Sequence, residues 1–140
     1  MTIGASRAQL RTDYAAYHRC GDNQMAMVMV SSAIYPHLTG SLPAVMSGGT
    51  YTRELPLATG TTGTLTVSDD LQTPALAPQA APARTSIDAG LDLVMYASTE
   101  QGSAVAYPKL VADARAGTIP LRRLQAAVAS IRALKRLVAP

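Results

Sequence analysis

Three short apolar runs set the frame for any fold this chain can adopt. They are Met25–Val30 (MAMVMV), Gly63–Ser68 (GTLTVS) and Leu91–Ala97 (LDLVMYA). Each leads into polar residues: Ser31-Ser32 with Tyr35-Pro36 just beyond, Asp69-Asp70, and Ser98-Thr99-Glu100. The first run is continuous and predicts a strand buried on both faces, the habit of parallel sheets. In the second, Leu65 and Val67 alternate with β-branched threonines, which favour strands. The runs recur at roughly thirty to forty residues with helix signals between them, the rhythm of βα units in a parallel sheet. The fold class read from this pattern is α/β.

The helix signals are uneven. Pro43–Leu55 predicts a helix entered through Ser41, weakened by Gly48-Gly49 and Tyr51-Thr52. The three prolines of Pro74–Ala83 predict a loop with at most a short helical turn, with helix resuming near Ser86. A further helix follows the third run; Pro108 must begin or kink it, and Gly117 suits its C-terminal cap. The last element is the clearest. After Pro120, residues Leu121, Leu124, Val128, Ile131, Leu134 and Leu137 recur every three or four positions, which predicts an amphipathic helix covering a core.

Composition narrows the class. A chain of 140 residues is the size of one folding unit, and 48% hydrophobic against 15% charged residues excludes a disordered tail. With no Phe or Trp and only six Tyr, the core must be aliphatic. The lone Cys20 allows no intrachain disulfide and no cysteine zinc cluster, and reads as a half-buried small residue. Met1–Asp22 lacks the apolar core of a signal peptide, and no apolar stretch spans a membrane, so the expectation is a cytoplasmic chain with no membrane partner. Residues 1–120 hold seven Lys and Arg against nine Asp and Glu; Arg122, Arg123, Arg132, Lys135 and Arg136 then reverse the balance. Cations near a helix C-terminus suit its dipole, so this reads as a solvated face with no nucleic-acid partner.

Ligands of parallel α/β folds bind at the carboxyl ends of the strands. That singles out three loops: Ser31–Pro36, Asp69–Gln72 and Ser98–Gln101. A carboxylate directly after a buried strand is held rigidly and suits a nucleophile or a metal ligand; an acidic pair there equally suits a helix cap. On the first loop, Ser31 and Tyr35 are candidate substrate contacts. His18 and His37 stand in other contexts and read as surface or loop residues.

Val28–Pro36, the segment Gly63–Leu71 ending VSDDL, and Ala89–Met95 together resemble successive strand ends of the glycoside hydrolase family 3 catalytic domain. The branch they resemble most is its β-N-acetylhexosaminidases. Pro43–Ser47 and Arg53–Leu55 resemble the helix before the catalytic strand, and Ala112–Arg115, Gly117–Pro120, Arg123-Leu124 and Ile131–Lys135 the closing helices. The resemblance runs from Leu10 onward. It implies roughly the last three βα units of a (β/α)8 barrel, residues 1–140 forming one partial catalytic domain. It also implies hydrolysis of O-glycosidic bonds, as a β-N-acetylhexosaminidase or β-glucosidase, by a retaining mechanism with Asp69 as nucleophile, Asp70 as an orienting residue, and no metal or cofactor.

The family's acid/base histidine lies in a Lys-His-Phe-Pro-Gly-His-Gly-like motif that this sequence does not contain, so the acid/base is expected to be missing from this chain. A partial barrel leaves sheet edges and an apolar wall open, which predicts self-association or pairing with a chain that supplies the rest of the barrel. Two other readings compete: an inactive assembly or carbohydrate-binding remnant, and a small doubly wound domain holding Mg²⁺ at Asp69-Asp70.

Overall fold

The second apolar run forms the middle of a parallel sheet, with the other two as its neighbours. The computed structural model describes residues 1–21 and 26–138. Strands β1 (Met27–Val30), β2 (Leu65–Asp70) and β3 (Leu93–Met95) lie side by side in chain order. Val28 stands opposite Thr66, Val30 opposite Ser68 and Val67 opposite Leu93, with an irregularity between Val67 and Asp70. The acidic pair therefore belongs to the strand itself. Met25 falls outside the described residues.

Strands taken in chain order and joined by right-handed crossovers place every crossover on the same face of the sheet. The β1–β2 crossover comprises α2 (Pro36–Thr39), a 3₁₀ turn at Ala44–Met46, a π turn at Thr50–Glu54 and α3 (Leu55–Thr59). The β2–β3 crossover comprises a 3₁₀ turn at Pro74–Leu76 and α4 (Pro82–Ala89). Burial along β1 agrees with one-sided coverage, although on β2 Leu65, opposite Met27, is buried as well. Val28 and Val30 are buried, whereas Met27 and Met29 are 41% and 58% exposed. This corrects the expectation of a first strand buried on both faces. It also removes the doubly wound alternative, which needs helices on both sides and a reversal of strand order.

The crossover segments correct the helix readings as well. Instead of one helix over Pro43–Leu55, the chain makes a 3₁₀ turn, then a π turn leading into α3. Pro56 offers no N–H to the carbonyl of Thr52 and its ring crowds that carbonyl, so the turn before it widens and Leu55 N–H bonds Thr50 O. Helix α4 starts at Pro82, earlier than the expected Ser86, because a proline suits a first helical turn. Gly90 ends it at φ 135°, and a Cβ there would lie 2.6 Å from the Tyr51 ring. That ring packs on the core while its hydroxyl donates to Val45 O at 2.8 Å.

The core lies between the sheet and these turns, around Val30, Val45, Met46, Leu71, Leu76 and Leu91. Leu76 and Leu91 are fully buried, each contributing about 2 kcal/mol by area removed from water. In the absence of Phe and Trp, Tyr35, Tyr51 and Tyr96 supply the aromatic bulk at its edge.

Three longer helices flank this unit. Helix α1 (Arg7–Gly21), which the periodicity argument overlooked, lies along α3. Its Arg7 and Arg11 pair with Glu54, whose side chain is only 7% exposed, and Tyr14 Oη donates to Glu54 Oε2 at 2.9 Å. Burial and the Glu54 carboxylate push the Tyr14 phenol up to about 12. Helix α5 (Glu100–Arg115) carries Pro108 inside it, and Gly117, with φ 72°, follows its end. Helix α6 (Leu121–Val138) buries only Ala127; Leu121, Val128 and Leu137 are exposed. The expected apolar stripe covers the core only in part: Leu124, Ile131 and Leu134 are half-buried, and its other three residues stay in water because the position of Arg123 fixes the rotation of the helix. Cys20 is likewise exposed, not half-buried. No described helix is long and apolar enough to cross a membrane.

Arg123 reaches under α4. Its Nε donates to Ile87 O and its Nη2 to Gly90 O and Leu91 O, at 2.7–3.0 Å, which satisfies carbonyls at the end of α4. It also meets Asp92 Oδ1 at 2.6 Å. The other Asp92 oxygen accepts from Thr66 N–H and Thr66 Oγ1 at 3.1 and 3.2 Å. Removing the guanidinium leaves a buried carboxylate and several carbonyls without a donor. Arg123→Met is expected to cost about 3 kcal/mol in urea denaturation; a loss within experimental error would show that α6 is not anchored through this residue.

Candidate active site

Alternation along β2 puts Leu65, Val67 and Asp69 on one face and Thr66, Ser68 and Asp70 on the other. The second set serves the helix side. Ser68 is fully buried and its hydroxyl accepts from Met95 N–H at 2.9 Å, which locks β3 to β2. Asp69 follows Val67 onto the face that no crossover covers. One of its oxygens accepts from Asp70 N–H at 2.8 Å. Its other oxygen has no protein partner among the described residues. The carboxylate is thus oriented by the backbone and free on one side.

Asp70 is committed elsewhere. Its Oδ1 accepts from Gln72 N–H at 3.0 Å and Ala97 N–H at 3.1 Å, and its Oδ2 from the Ser98 hydroxyl. The Ser98 bond, followed by the Gln72 amide, holds its carboxyl below the usual carboxylate range. An acid held ionised in this way is a poor proton donor at neutral pH, and its bonds hold the Ser98 loop in place. Burial and the charge of Asp70 in turn raise the phenol of Tyr96.

Gln72 repeats the link one step further out. Its side-chain Nε2 donates to Thr99 Oγ1 at 2.8 Å, and its Oε1 accepts from Thr99 N–H at 3.0 Å. Thr99 also caps α5 by accepting from Gly102 N–H. The Gln72 amide lies where a Cβ on Gly102 would stand, 2.5 Å away, so only glycine allows this approach. Four hydrogen bonds from Asp70 and Gln72 thereby fix the loop after β3. Gln72 escaped the sequence reading because nothing in its local pattern marks it; its partners lie 27 residues away.

Of the three expected loops, the structure joins Asp69–Gln72 to Ser98–Gln101. The register that sets Val30 opposite Ser68 places Ser31 at the strand end beside Asp69. The Ser31 hydroxyl accepts from Ala33 N–H at 3.0 Å and so shapes its own turn. Tyr35 packs against the core. His18 and His37 are both exposed; His18 Nδ1 lies against Gly60 and the His37 carbonyl accepts from Arg7. Neither belongs to the Asp69 cluster. No group of three potential metal-ligating side chains occurs among the described residues.

Two outcomes check this geometry. In Gly102→Ala the added methyl displaces the Gln72 amide and breaks both bonds to Thr99, at a cost of about 1–2 kcal/mol. Faster hydrogen exchange at Thr99 and residue 102 would report it; unchanged exchange would count against the clamp. The second concerns acid. Burial pushes the Glu54 carboxyl up, but hydrogen bonds from Arg53 and Tyr14 and the charges of Arg53 and Arg11 more than reverse this, leaving it lowered, as Asp70 is. Such groups confer stability that is complete above the ordinary carboxylate pKa and is lost as pH falls through the lower folded value. The melting temperature should therefore hold steady down to about pH 5 and fall below about pH 4. Asp70→Asn should make that fall shallower; the same acid limb in wild type and variant would deny Asp70 its share.

Comparison with known proteins places this geometry. The sequence model of the glycosyl hydrolase family 3 N-terminal domain matches residues 2–134. A glycoside hydrolase family 3 β-N-acetylglucosaminidase from Paenibacillus sp. superposes with TM-score 0.86 at 23% identity, covering 96% of this chain and 26% of that one. The β-N-acetylglucosaminidase from Thermotoga maritima superposes with TM-score 0.83 at 18% identity, covering 95% and 30%. A β-N-acetylhexosaminidase from Beutenbergia cavernae gives 0.77 at 22%, covering 96% and 42%. No curated protein matches by sequence. The three likenesses establish a shared fold, part of a (β/α)8 barrel, and the chain spans between 26% and 42% of those relatives' length. With a match running over nearly all of its residues, the chain belongs to glycoside hydrolase family 3.

Proposed function

We propose that this chain carries the nucleophile half of a retaining β-N-acetylhexosaminidase, and that Asp69 is that nucleophile. The observation that supports this reading is the contrast within the acidic pair. Asp70 has both oxygens engaged by the Ser98–Gln72 network, whereas Asp69 keeps one oxygen free on the uncovered face at the carboxyl end of the central strand.

In the proposed reaction the free Asp69 oxygen attacks the anomeric carbon of the sugar. A C–O bond forms as the glycosidic C–O bond breaks, and the departing oxygen takes a proton from a general acid. Water then attacks the same carbon, gives up a proton to the conjugate base, and releases the sugar with Asp69 restored. The Asp70 N–H donating to Asp69 steadies the carboxylate both as it attacks and as it leaves. Ser31, beside Asp69 at the neighbouring strand end, and Tyr35, which lines a cleft with it, are the residues of this chain proposed to meet the sugar. The general acid is not assigned among the described residues. Help from a general acid is worth about 10²- to 10⁴-fold for a poor leaving group, and much less for one that needs no protonation.

The test follows from that difference. A dinitrophenyl β-N-acetylglucosaminide leaves without acid help, so the chain should release dinitrophenolate and accumulate an N-acetylhexosaminyl adduct on the peptide containing Asp69, seen by mass spectrometry. Asp69→Asn should lower release at least roughly 10³-fold. An adduct on another residue, or release unchanged in Asp69→Asn, would sink the assignment.

A further inference from the structure

The pairing of β2 with β3 slips where the acidic pair stands. Val67 pairs with Leu93, but the next pair is Asp70 with Met95, so Ser68 and Asp69 together stand opposite Val94 alone. This is a β-bulge with its extra residue on the central strand. The pairing of β2 with β1 is regular through Val30 and Ser68, where β1 ends, so the bulge disturbs only the β3 side. It also decides what each carboxylate meets. The acid opposite Met95 is the one that accepts from Ala97 N–H and the Ser98 hydroxyl, just beyond Met95 in the chain. An unbroken ladder would put Asp69 opposite Met95; the bulge puts Asp70 there instead.

One side chain ties the two strands in this offset. Ser68 lies inside the bulge and is fully buried, and its hydroxyl accepts at 2.9 Å from the N–H of Met95, the residue at which pairing resumes. Leu71 N–H, donating to Met95 O at 3.0 Å, fastens the other side of the same residue. A hydroxyl shut away from water is tolerated only while its bond is made, so Ser68 favours the bulged register as an apolar side chain of its size would not. Thr66 makes a similar contact, to Asp92, at the start of the strand, where the pairing shows no slip. We propose that Ser68 is a positioning residue for the reaction: its buried hydroxyl holds the bulge that commits Asp70 to the loop after β3 and leaves Asp69 free to attack the sugar. The inference rests on the nucleophilic role proposed for Asp69, and adds how one of two adjacent, chemically identical acids comes to hold it. Ser68 is screened from solvent, so it acts through the strand and touches no substrate.

The test sets Ser68→Ala beside Thr66→Val, which removes the other cross-strand hydroxyl of β2 outside the bulge; both should melt below wild type. With the dinitrophenyl β-N-acetylglucosaminide, Ser68→Ala should lower kcat at least about tenfold with KM within about twofold of wild type, whereas Thr66→Val should keep kcat within about twofold. Hydrogen exchange reads the register without turnover: Ala97 N–H should exchange at least about tenfold faster in Ser68→Ala, and at close to the wild-type rate in Thr66→Val under conditions where local opening governs exchange. A third measurement needs no variant, since nuclear Overhauser contacts in wild type should pair Asp70, not Asp69, with Met95. Contacts pairing Asp69 with Met95, Ala97 as protected in Ser68→Ala as in wild type, or equal falls of kcat in the two variants would each overturn the role of Ser68. An adduct on a residue other than Asp69 in wild type is a different failure: it would sink the nucleophile, and with it the catalytic side of this inference, whatever the exchange shows.

Discussion

The Asp92 carboxylate is the joint on which the rest of this structure depends. It stands at the entrance to β3, accepts from the backbone and hydroxyl of Thr66 on β2, and takes the guanidinium of Arg123 from α6. Thr66 Oγ1 closes the circuit by accepting from Asp92 N–H at 3.1 Å. A carboxylate this little exposed is tolerable only because both oxygens are satisfied. Its position sets how β3 enters the sheet, and Arg123 brings α6 against the end of α4. The closing helix is thus attached by a polar tie, with only Ala127 of its own side chains buried.

A second polar tie repeats the device at the other end of the strands. Below, Thr66 and Asp92 join β2 to the start of β3; above, Asp70 and Gln72 join β2 to the loop after it. Between them Ser68, wholly buried, takes the Met95 N–H. All of these residues use the helix-facing side of β2 or the loop beyond it, and their consequence is that Asp69 has no structural duty. Freed from packing and from cross-strand bonding, its carboxylate is steadied by one backbone N–H and otherwise left to solvent or substrate. Under the proposed role of Asp69, chemistry and architecture are divided between alternate residues of one strand.

The one-sided cover explains both the accessibility of that carboxylate and the apolar surface around it. Crossovers of one hand between strands taken in order stack all helices on one face, and the opposite face is then the wall of something larger. In a closed barrel such a wall meets its opposite wall; in this chain it carries Met27 and Met29 into solvent. Hydrophobic cover and access to Asp69 compete for the same face.

Much of this was legible in the residues. The three apolar runs placed all three strands, the order of motifs placed the family, and the VSDDL segment placed the acidic pair at the end of the central strand, because period-two patterning and short motifs are local properties of the chain. The readings that failed were those that local pattern cannot decide. MAMVMV reads as buried on both faces, but which of its faces meets helices depends on crossover handedness. The apolar stripe of α6 reads as wholly core, but half of it stays in water because Arg123, reaching carbonyls over thirty residues away, sets the rotation of the helix. Gln72 looks like any loop residue until Thr99 and Gly102 come beside it. The sequence by itself determined which segments become parallel strands and which carboxylates end the central one. Only the tertiary structure decided which of the two is bound up and which is free, because that choice rests on hydrogen bonds between residues far apart in the chain.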